Sequence, residues 1–202
     1  MKVLRLPSHL PYASNTYFLV SGNEGCVIDP STPYDEALLP SETKYILLTH
    51  SHFDHILTIN NWVEATGAKV CIFNSELSFL SDPEKNCYSI FFGKRDGYFG
   101  DATPLHDNDV IKLGGESIRV MHTPGHTCGS SVFVTEKAAF VGDTVFAGGG
   151  YGRWDLPSGD YASLRDSILK VTSLPDHTVL YPGHGDPTTV RDYKRDYFGK
   201  RI

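Results

Sequence analysis

Four potential metal ligands crowd one short stretch of the sequence. His50, His52, Asp54 and His55 lie within six residues. Packing imidazoles against one another and against a carboxylate is costly unless a cation organises them. Histidine nitrogen together with aspartate oxygen is a ligand set that suits zinc and iron. The cluster therefore predicts a transition-metal site.

Three further metal-capable side chains lie on glycine-bearing turns that follow apolar runs. They are His126 in His-Thr-Pro-Gly-His-Thr, Asp143 in Val-Gly-Asp-Thr, and His184 in Tyr-Pro-Gly-His-Gly. A single histidine of this kind is more often a hydrogen-bonded turn residue than a ligand. Together with the cluster at 50–55, these turns make four strand-end positions with metal-capable side chains, which chance is a poor explanation for. Binding sites are commonly built on loops at the ends of rigid strands.

Short strands must position these side chains. The ligand-bearing turns follow strands predicted at 45–48, 116–121, 138–141 and 178–181. Other strands are predicted at 3–6, 16–20, 26–29, 69–73, 110–113 and 131–135, and helices or helical turns at 33–39, 56–66, 75–80, 161–171 and 187–197. Each half of the chain runs from strands to helix and back. Two facing sheets with helices outside would satisfy this α/β (α+β) pattern.

The 202 residues predict a single domain over 1–202. The segment 82–105 interrupts the regular pattern, with three glycines and five aromatic residues but no clean period. We interpret it as a long aromatic loop near the site. Its aromatic residues either line a substrate pocket or pin the loop to the body of the domain, and the sequence does not decide between these.

Composition narrows the classes of partner. A formal net charge of −6 argues against a nucleic-acid partner, and the basic residues of 191–201 alternate with acidic ones, as on a solvated helix face. The chain has no 18-residue apolar run and no apolar signal segment, so we expect a cytoplasmic protein with no membrane partner. Cys26 and Cys71 are expected to be free thiols. A small-molecule substrate is expected, while the oligomeric state is unknown.

Together these motifs resemble the metallo-β-lactamase fold superfamily. His50-x-His52-x-Asp54-His55, followed by His126, Asp143 and His184, matches its metal-binding signature in order and spacing. The resemblance covers nearly the whole chain and implies a four-layer αββα sandwich with the site at one edge of the two sheets. Asp29 matches a carboxylate that orients the metal-binding loop without touching a metal.

The resemblance also implies how the ligands are shared. The first ion would be held by His50, His52 and His126, the second by Asp54, His55 and His184, with Asp143 bridging both. Seven protein ligands exceed the needs of one tetrahedral ion. We therefore expect two divalent ions, with zinc first and iron or manganese as alternatives. The implied chemistry is hydrolysis by a metal-bridging hydroxide, with Asp54 also passing a proton towards the leaving group.

Two motifs indicate a branch of the superfamily. Gly152-Arg153-Trp154-Asp155 resembles the Gly-Arg-x-Asp segment of glyoxalase II-like thioesterases, and the stretch 14–17 (Ser-Asn-Thr-Tyr) is similar to that group. Arg153 is a candidate for binding a substrate anion, and the alternative is a salt bridge to Asp155 or Asp160. Asp143 stands where the β-lactamase branches carry Cys or Ser, which argues against β-lactam hydrolysis.

One departure bears on the substrate. Glyoxalase II carries a C-terminal helical domain that supplies much of its glutathione site, whereas only 17 residues follow Gly185 here. A glutathione thioester is therefore in doubt as the substrate, although thioester hydrolysis is not.

The leading hypothesis is a binuclear metal-dependent hydrolase acting on a small thioester or related ester. One rival is a persulfide dioxygenase of the glyoxalase II-like branch, with a single iron held by residues matching His50, His126 and Asp143. A second rival is a non-enzymatic, metal-dependent binding module on a degenerate site, which the complete ligand set disfavours.

Overall fold

The computed structural model describes residues 1–39 and 42–199. The first half contains β1 (Lys2–Leu6), β2 (Thr16–Ser21), β3 (Glu24–Ile28), β4 (Glu42–Leu47), α1 (Ile59–Thr66), β5 (Lys69–Phe73), α2 (Tyr88–Phe92) and β6 (Thr103–Leu105). The second half contains β7 (Val110–Leu113), β8 (Glu116–His122), β9 (Ser131–Val134), β10 (Ala138–Gly142), β11 (Val145–Phe146), β12 (Gly150–Tyr151), α3 (Tyr161–Thr172), β13 (Val179–Pro182), β14 (Thr188–Thr189) and α4 (Val190–Gly199). Short 3₁₀ helices lie at Glu36–Leu38, Phe53–His55, Asn74–Phe79 and Ala147–Gly149.

The strands form two six-stranded sheets and one small ribbon. The first sheet has the order β1-β2-β3-β4-β5-β6, the second β14-β13-β10-β9-β8-β7, and β11 pairs with β12. In the first sheet β3 to β6 run parallel to one another. In the second, β10 runs parallel to β13. The ends of these parallel strands can therefore meet at a common edge.

Three apolar layers separate the sheets and helices. One layer packs Phe18 and Ile46 against Trp62 of α1. A second layer, between the two sheets, contains Tyr17, Leu19 and Phe140. Along β2, Tyr17 and Leu19 of this layer alternate with Phe18 of the first, because successive side chains of a strand point to opposite faces. A third layer buries the inner faces of α3 and α4 against the second sheet. The molecule is an αββα sandwich, which confirms the predicted fold.

Some predicted elements differ from the structure. The 82–105 segment is not one long loop, because it contains α2 and the edge strand β6, which pairs with β5. A five-residue helix is too short to show a period in the sequence. The helix predicted at 33–39 is only the 3₁₀ turn Glu36–Leu38, and 75–80 also forms a 3₁₀ helix. Helix α4 begins at Val190 because the preceding threonines pair with β13.

Two smaller expectations concern cysteines and the membrane. Cys26 and Cys71 are free and buried, as predicted. Among the residues described, no helix is both long and apolar enough to cross a membrane. Lys200 and Arg201, at the end of the predicted basic helix face, lie outside the described residues.

Candidate metal centre

All seven predicted ligands come together at one edge of the sandwich. The loop after β4 carries His50 and His52, and the 3₁₀ helix Phe53–His55 continues it. The remaining ligands follow β8, β10 and β13: these are His126, Asp143 and His184. Strand pairing therefore brings together loops that are far apart in the sequence, as the strand-end positions indicated.

The first group of ligand atoms consists of three buried imidazole nitrogens. Nε2 of His126 lies 3.2 Å from Nε2 of His50 and 3.0 Å from Nδ1 of His52. Ligand atoms bound at 2.0–2.1 Å to one tetrahedral zinc lie roughly 3.4 Å apart. The spacing of the three nitrogens therefore fits a single ion.

The second group of ligand atoms belongs to Asp54, His55 and His184, and it lies beside the first, with the ring centroids of His50 and His55 4.0 Å apart. Nε2 of His184 lies 3.0 Å from Oδ2 of Asp54, and Nε2 of His55 lies 3.8 Å from the same oxygen. These three side chains could also hold one ion.

Asp143 lies between the two groups. Its Oδ1 is 3.4 Å from Nε2 of His55, and its Oδ2 is 3.8 Å from Nε2 of His126 and 3.6 Å from Nε2 of His184. The two oxygens of one carboxylate therefore reach both groups.

Unpaired buried atoms favour a bound cation. Within the part of the chain that the structure describes, Nε2 of His55 and Oδ1 of Asp143 are buried and, although 3.4 Å apart, form no hydrogen bond of regular geometry. Buried polar atoms are nearly always paired in folded proteins. A divalent ion would satisfy both atoms, so the residues present fit a metal centre.

Hydrogen bonds to the other ring nitrogens set the tautomers of two histidines. Nδ1 of His126 donates to the carbonyl oxygen of Arg153 over 2.7 Å, and Nδ1 of His55 donates to Oδ2 of Asp29 over 2.8 Å. A carbonyl and a carboxylate can only accept, so Nδ1 carries the proton. Nε2 of His126 is then a lone-pair donor to a metal.

The two groups differ in their electrostatics. Burial and the neighbouring imidazoles lower the pKa of His50, and burial with His126 lowers that of His52 to about 3, so both rings are neutral at physiological pH. Burial also acts against the charged form of His55, but the carboxylates of Asp29, Asp54 and Asp143 outweigh it and raise its pKa. His50 and His52 are therefore already in the neutral state that metal binding requires, whereas an ion bound by the second group would displace a proton from His55.

Asp29 anchors the first metal-binding loop. Its carboxylate is buried and accepts the Thr49 N–H over 2.8 Å and the Thr49 hydroxyl over 2.7 Å, besides Nδ1 of His55. Its φ of +51° is unusual for a residue other than glycine. The predicted loop-orienting carboxylate is thus in contact with both ends of the loop.

A cavity of about 500 Å³ opens onto the ligands. Tyr12, Phe53, Phe91, Phe146 and Leu156 supply apolar walls. Among the aromatic residues of the 82–105 segment, Phe91 lines this cavity, while Phe92 packs on Phe53 with ring centroids 5.0 Å apart and so pins the segment to the body of the domain. The cavity therefore has the candidate metal ligands on one side and apolar side chains around them.

The guanidinium of Arg153 is engaged by a neighbour. It donates two hydrogen bonds to Asp155, of 2.7 and 2.8 Å, and it also lines the cavity. Of the two predicted salt-bridge partners, Asp155 is the one found, since Asp160 accepts the Ser163 N–H at the start of α3. The Arg153 side chain is therefore held in place beside the cavity.

Sequence reasoning assigned no role to two supporting residues, of which Asn15 lies in the stretch 14–17 and Glu76 was not singled out. Nδ2 of Asn15 donates to the carbonyl oxygens of Pro182 and Gly185 and so holds the loop of His184. Glu76 is a fully buried carboxylate beside the first group of ligands. Its only signal in the sequence was a charged residue beside Leu77, in a short turn of mixed polar and apolar residues.

Comparisons with known proteins show the family to which the chain belongs. A family model described as the metallo-β-lactamase superfamily matches residues 9–184. The hydroxyacylglutathione hydrolase GloC of Haemophilus influenzae is 32% identical over 179 residues, which is 84% of each chain. A probable metallo-hydrolase of Methanocaldococcus jannaschii is 32% identical over 186 residues, covering 87% of this chain and 89% of the relative.

Solved structures give the same result. BLEG-1, a B3 metallo-β-lactamase, superposes with a TM-score of 0.87 at 32% identity, covering 96% of this chain and 97% of its own. TTHA1623, crystallised in a di-iron-bound form, gives a TM-score of 0.80 at 29% identity, with 97% and 98% covered. The chain thus belongs to the metallo-β-lactamase superfamily, and it is similar to a glyoxalase II-like member of that superfamily.

Proposed function

We propose that the protein is a binuclear metal-dependent hydrolase that acts on a small thioester or a related ester. The convergence of two ligand groups on one carboxylate, Asp143, carries this proposal. The first ion is assigned to His50, His52 and His126, the second to Asp54, His55 and His184, and Asp143 would be a ligand of both. Zinc is the proposed metal, with iron or manganese as alternatives, since histidine and carboxylate ligands suit each of these and one solved relative is di-iron.

The side chains divide the catalytic work. Bound divalent ions would supply a nucleophile at neutral pH and polarise the substrate carbonyl. Asp54 lines the cavity, and although burial acts to raise its pKa, His55 and His184 lower it, so it is a carboxylate at neutral pH. Its Oδ2 contacts His184, and Oδ1 is the proposed atom that takes up a proton and returns it to the leaving group. The aromatic side chains that line the cavity would give the acyl group an apolar surface to pack against.

Leaving-group chemistry favours a thioester. A thiol has a pKa of about 8.5, so it departs as a thiolate with little help from an acid. One carboxylate such as Asp54 is then sufficient for proton transfer. An alcohol is a poorer leaving group and would depend more on receiving a proton as it departs.

Two relatives define the competing substrates. The chain covers 84% of GloC, a hydroxyacylglutathione hydrolase by name, so the short segment after Gly185 is by itself no ground against a glutathione thioester. BLEG-1 is a B3 metallo-β-lactamase by name, and the absence of β-lactam hydrolysis here stays a prediction. Both substrate types therefore belong in the test.

The experiment combines metal analysis with a substrate panel. The zinc-loaded protein is assayed on S-lactoylglutathione, an N-acetylcysteamine thioester, a phenyl ester and a cephalosporin. We expect two zinc ions per chain and the highest kcat/KM on a thioester. His55→Ala and His184→Ala should each lose about one ion and at least roughly 100-fold in kcat/KM, whereas His177→Ala, an exposed histidine, is the matched control.

Each outcome has a consequence. Unchanged metal content and hydrolysis in His55→Ala and His184→Ala would refute the binuclear mechanism. If a cephalosporin were hydrolysed faster than every thioester, the proposed substrate class would be wrong and a β-lactam would take its place. No turnover of the whole panel by metal-loaded protein would favour a metal-dependent binding module.

A second candidate function has a specific structural basis. His50, His126 and Asp143 form two histidines and one carboxylate, the ligand set of many mononuclear iron oxygenases, with Nε2 of His126 3.2 Å from Nε2 of His50. Oxygen uptake by the iron-loaded protein with glutathione persulfide tests this persulfide dioxygenase. The absence of uptake removes it.

A further inference from the structure

Glu76 is a fully buried carboxylate that the proposed reaction does not use. It lies on the 3₁₀ helix Asn74–Phe79, directly after β5, and its relative exposure is 0%. A carboxylate in the interior is costly unless its oxygens accept hydrogen bonds. Its partners therefore show what it stabilises.

Three donors converge on the two oxygens of Glu76. Oε2 accepts the N–H of Ser51 over 2.7 Å. Oε1 accepts the N–H of Gly129 over 2.9 Å and the hydroxyl of Thr127. All three contacts require an acceptor, which is what a carboxylate provides.

These donors belong to the two loops that carry the first group of ligands. Ser51 lies between His50 and His52, and Thr127 directly follows His126. His52 and His126, one in each loop, are 74 positions apart in the sequence. The Glu76 side chain thus links the loop of His50 and His52 to the loop of His126.

Packing holds Glu76 in this position. A Cβ atom added to Gly129 would lie 2.7 Å from Cγ of Glu76 and 2.7 Å from Oγ of Ser75. The loop therefore closes directly over the carboxylate and leaves it no room to move away.

We propose that Glu76 is a positioning residue that holds His50, His52 and His126 at the spacing of one metal ion. The inference rests on the proposed metal centre and deepens it, because it assigns a support to the first ion. Asp29 contacts Thr49 and His55 instead. A separate backbone bond from the Ser131 N–H to the Thr49 carbonyl, 2.9 Å long, also joins the two loops, so the fold does not depend on Glu76 alone.

The test measures zinc affinity by competition with a chromophoric chelator. Glu76→Gln keeps the size of the side chain but turns one acceptor into an NH₂ group that faces a donor. We expect about 10- to 100-fold weaker binding of one of the two zinc ions, the usual effect of losing a supporting carboxylate. The loss should persist in a His184→Ala background, where the second position is already impaired and the first is intact.

Matched variants separate positioning from general damage. Thr127→Val removes one of the three contacts and should weaken the same zinc ion by a smaller factor, while Thr127→Ser keeps the hydroxyl and should restore the affinity. Glu64→Gln makes the same chemical change on the exposed face of α1 and should leave both affinities unchanged. Circular dichroism and urea unfolding of the metal-free variants report the folded fraction. If Glu76→Gln does not fold, Thr127→Val and Thr127→Ser decide the question.

Several results would overturn the inference. One is that both zinc affinities stay within about threefold of the wild type in folded Glu76→Gln or Thr127→Val. Another is an equal loss of affinity for the two zinc ions. A wild-type protein that binds no zinc would overturn the proposed function together with this inference. A wild type that binds zinc but hydrolyses nothing would overturn only the function, because the affinities still test Glu76.

Discussion

The backbone carbonyl oxygen of Arg153 accepts a hydrogen bond of 2.7 Å from Nδ1 of His126. The guanidinium of the same residue is bound to Asp155. Arg153 therefore supports the proposed first ion through its main chain, and the course of the chain at this point matters more for metal binding than the charge does. Gly152 determines that course, because a Cβ there would lie 2.0 Å from the carbonyl oxygen of Asp143.

The first prediction compares Gly152→Ala with Arg153→Ala. The added methyl group must displace the loop and with it the acceptor for His126, so zinc affinity should fall at least about tenfold. Arg153→Ala keeps the carbonyl and should leave zinc affinity within about threefold. Competition with a chelator measures both. A larger loss of zinc in Arg153→Ala than in Gly152→Ala would contradict the main-chain role.

The second prediction concerns Asp29. Asp29→Asn replaces one acceptor oxygen by an NH₂ group that faces donors from Thr49 or His55. We expect the free energy of unfolding of the metal-free protein to fall by about 1–3 kcal/mol, and zinc affinity to fall about 10- to 100-fold. Urea unfolding and chelator competition measure the two effects. Asp101→Asn, on the exposed surface, is the control, and equal behaviour of the two variants would show that Asp29 does not hold the loop.

The third prediction concerns the aromatic wall. Phe91 lines the cavity and is only half-exposed, so its ring can cover an apolar part of a substrate. Phe91→Ala should raise KM for an aromatic or aliphatic thioester about three- to tenfold, since it removes roughly 1 kcal/mol of apolar contact. Steady-state kinetics on an acyl series measure this effect. Phe99→Ala, on a more exposed ring that does not line this cavity, should leave KM unchanged; equal effects would place the substrate elsewhere.

The fourth prediction concerns pH and Asp107. Burial acts to raise its pKa, but the His122 N–H and the Lys170 ammonium, 3.3 Å away, outweigh this and lower it. A carboxylate whose pKa is lower in the folded state stabilises the fold above its unfolded pKa of about 3.9, and that stabilisation is lost as the pH falls through the folded value.

Asp107→Asn should therefore lower the free energy of unfolding at pH 7 by about 0.5–1 kcal/mol, a value limited by solvent screening of a partly exposed pair. The difference from the wild type should shrink as the pH falls below about 4. Urea unfolding of the metal-free proteins across this range measures it. A difference that does not change with pH would mean that packing, and not the charge of Asp107, is responsible.

Much of the fold was predictable because its signals are local. The strand at 69–73 was predicted with the bounds of β5, and the strands before the ligand loops end within one residue of their predicted ends. β-rich runs bounded by turn residues carry this information within a few residues. The ligand types were equally local, since imidazoles and carboxylates on glycine-bearing turns favour a metal wherever they lie.

Other features depend on contacts that no short window contains. Helix α2 forms in a segment without a clean period and is held by aromatic contacts such as that of Phe92 with Phe53. In the sequence Glu76 is one charged residue in a short turn of mixed polar and apolar residues. Its role depends on Ser51 and Gly129, which contact it from two separate loops.

The sequence by itself determined that the chain carries a set of candidate metal ligands, histidines and aspartates, on strand-end loops of two facing sheets with helices outside. Only the tertiary structure decided which atoms of that set meet: Nε2 of His126 with His50 and His52, and Asp143 between the two groups. It also decided that Arg153 acts on His126 through its carbonyl. The physical reason is that these distances are set by pairing between strands that are distant in the chain, whereas residue types and turn signals are properties of short segments.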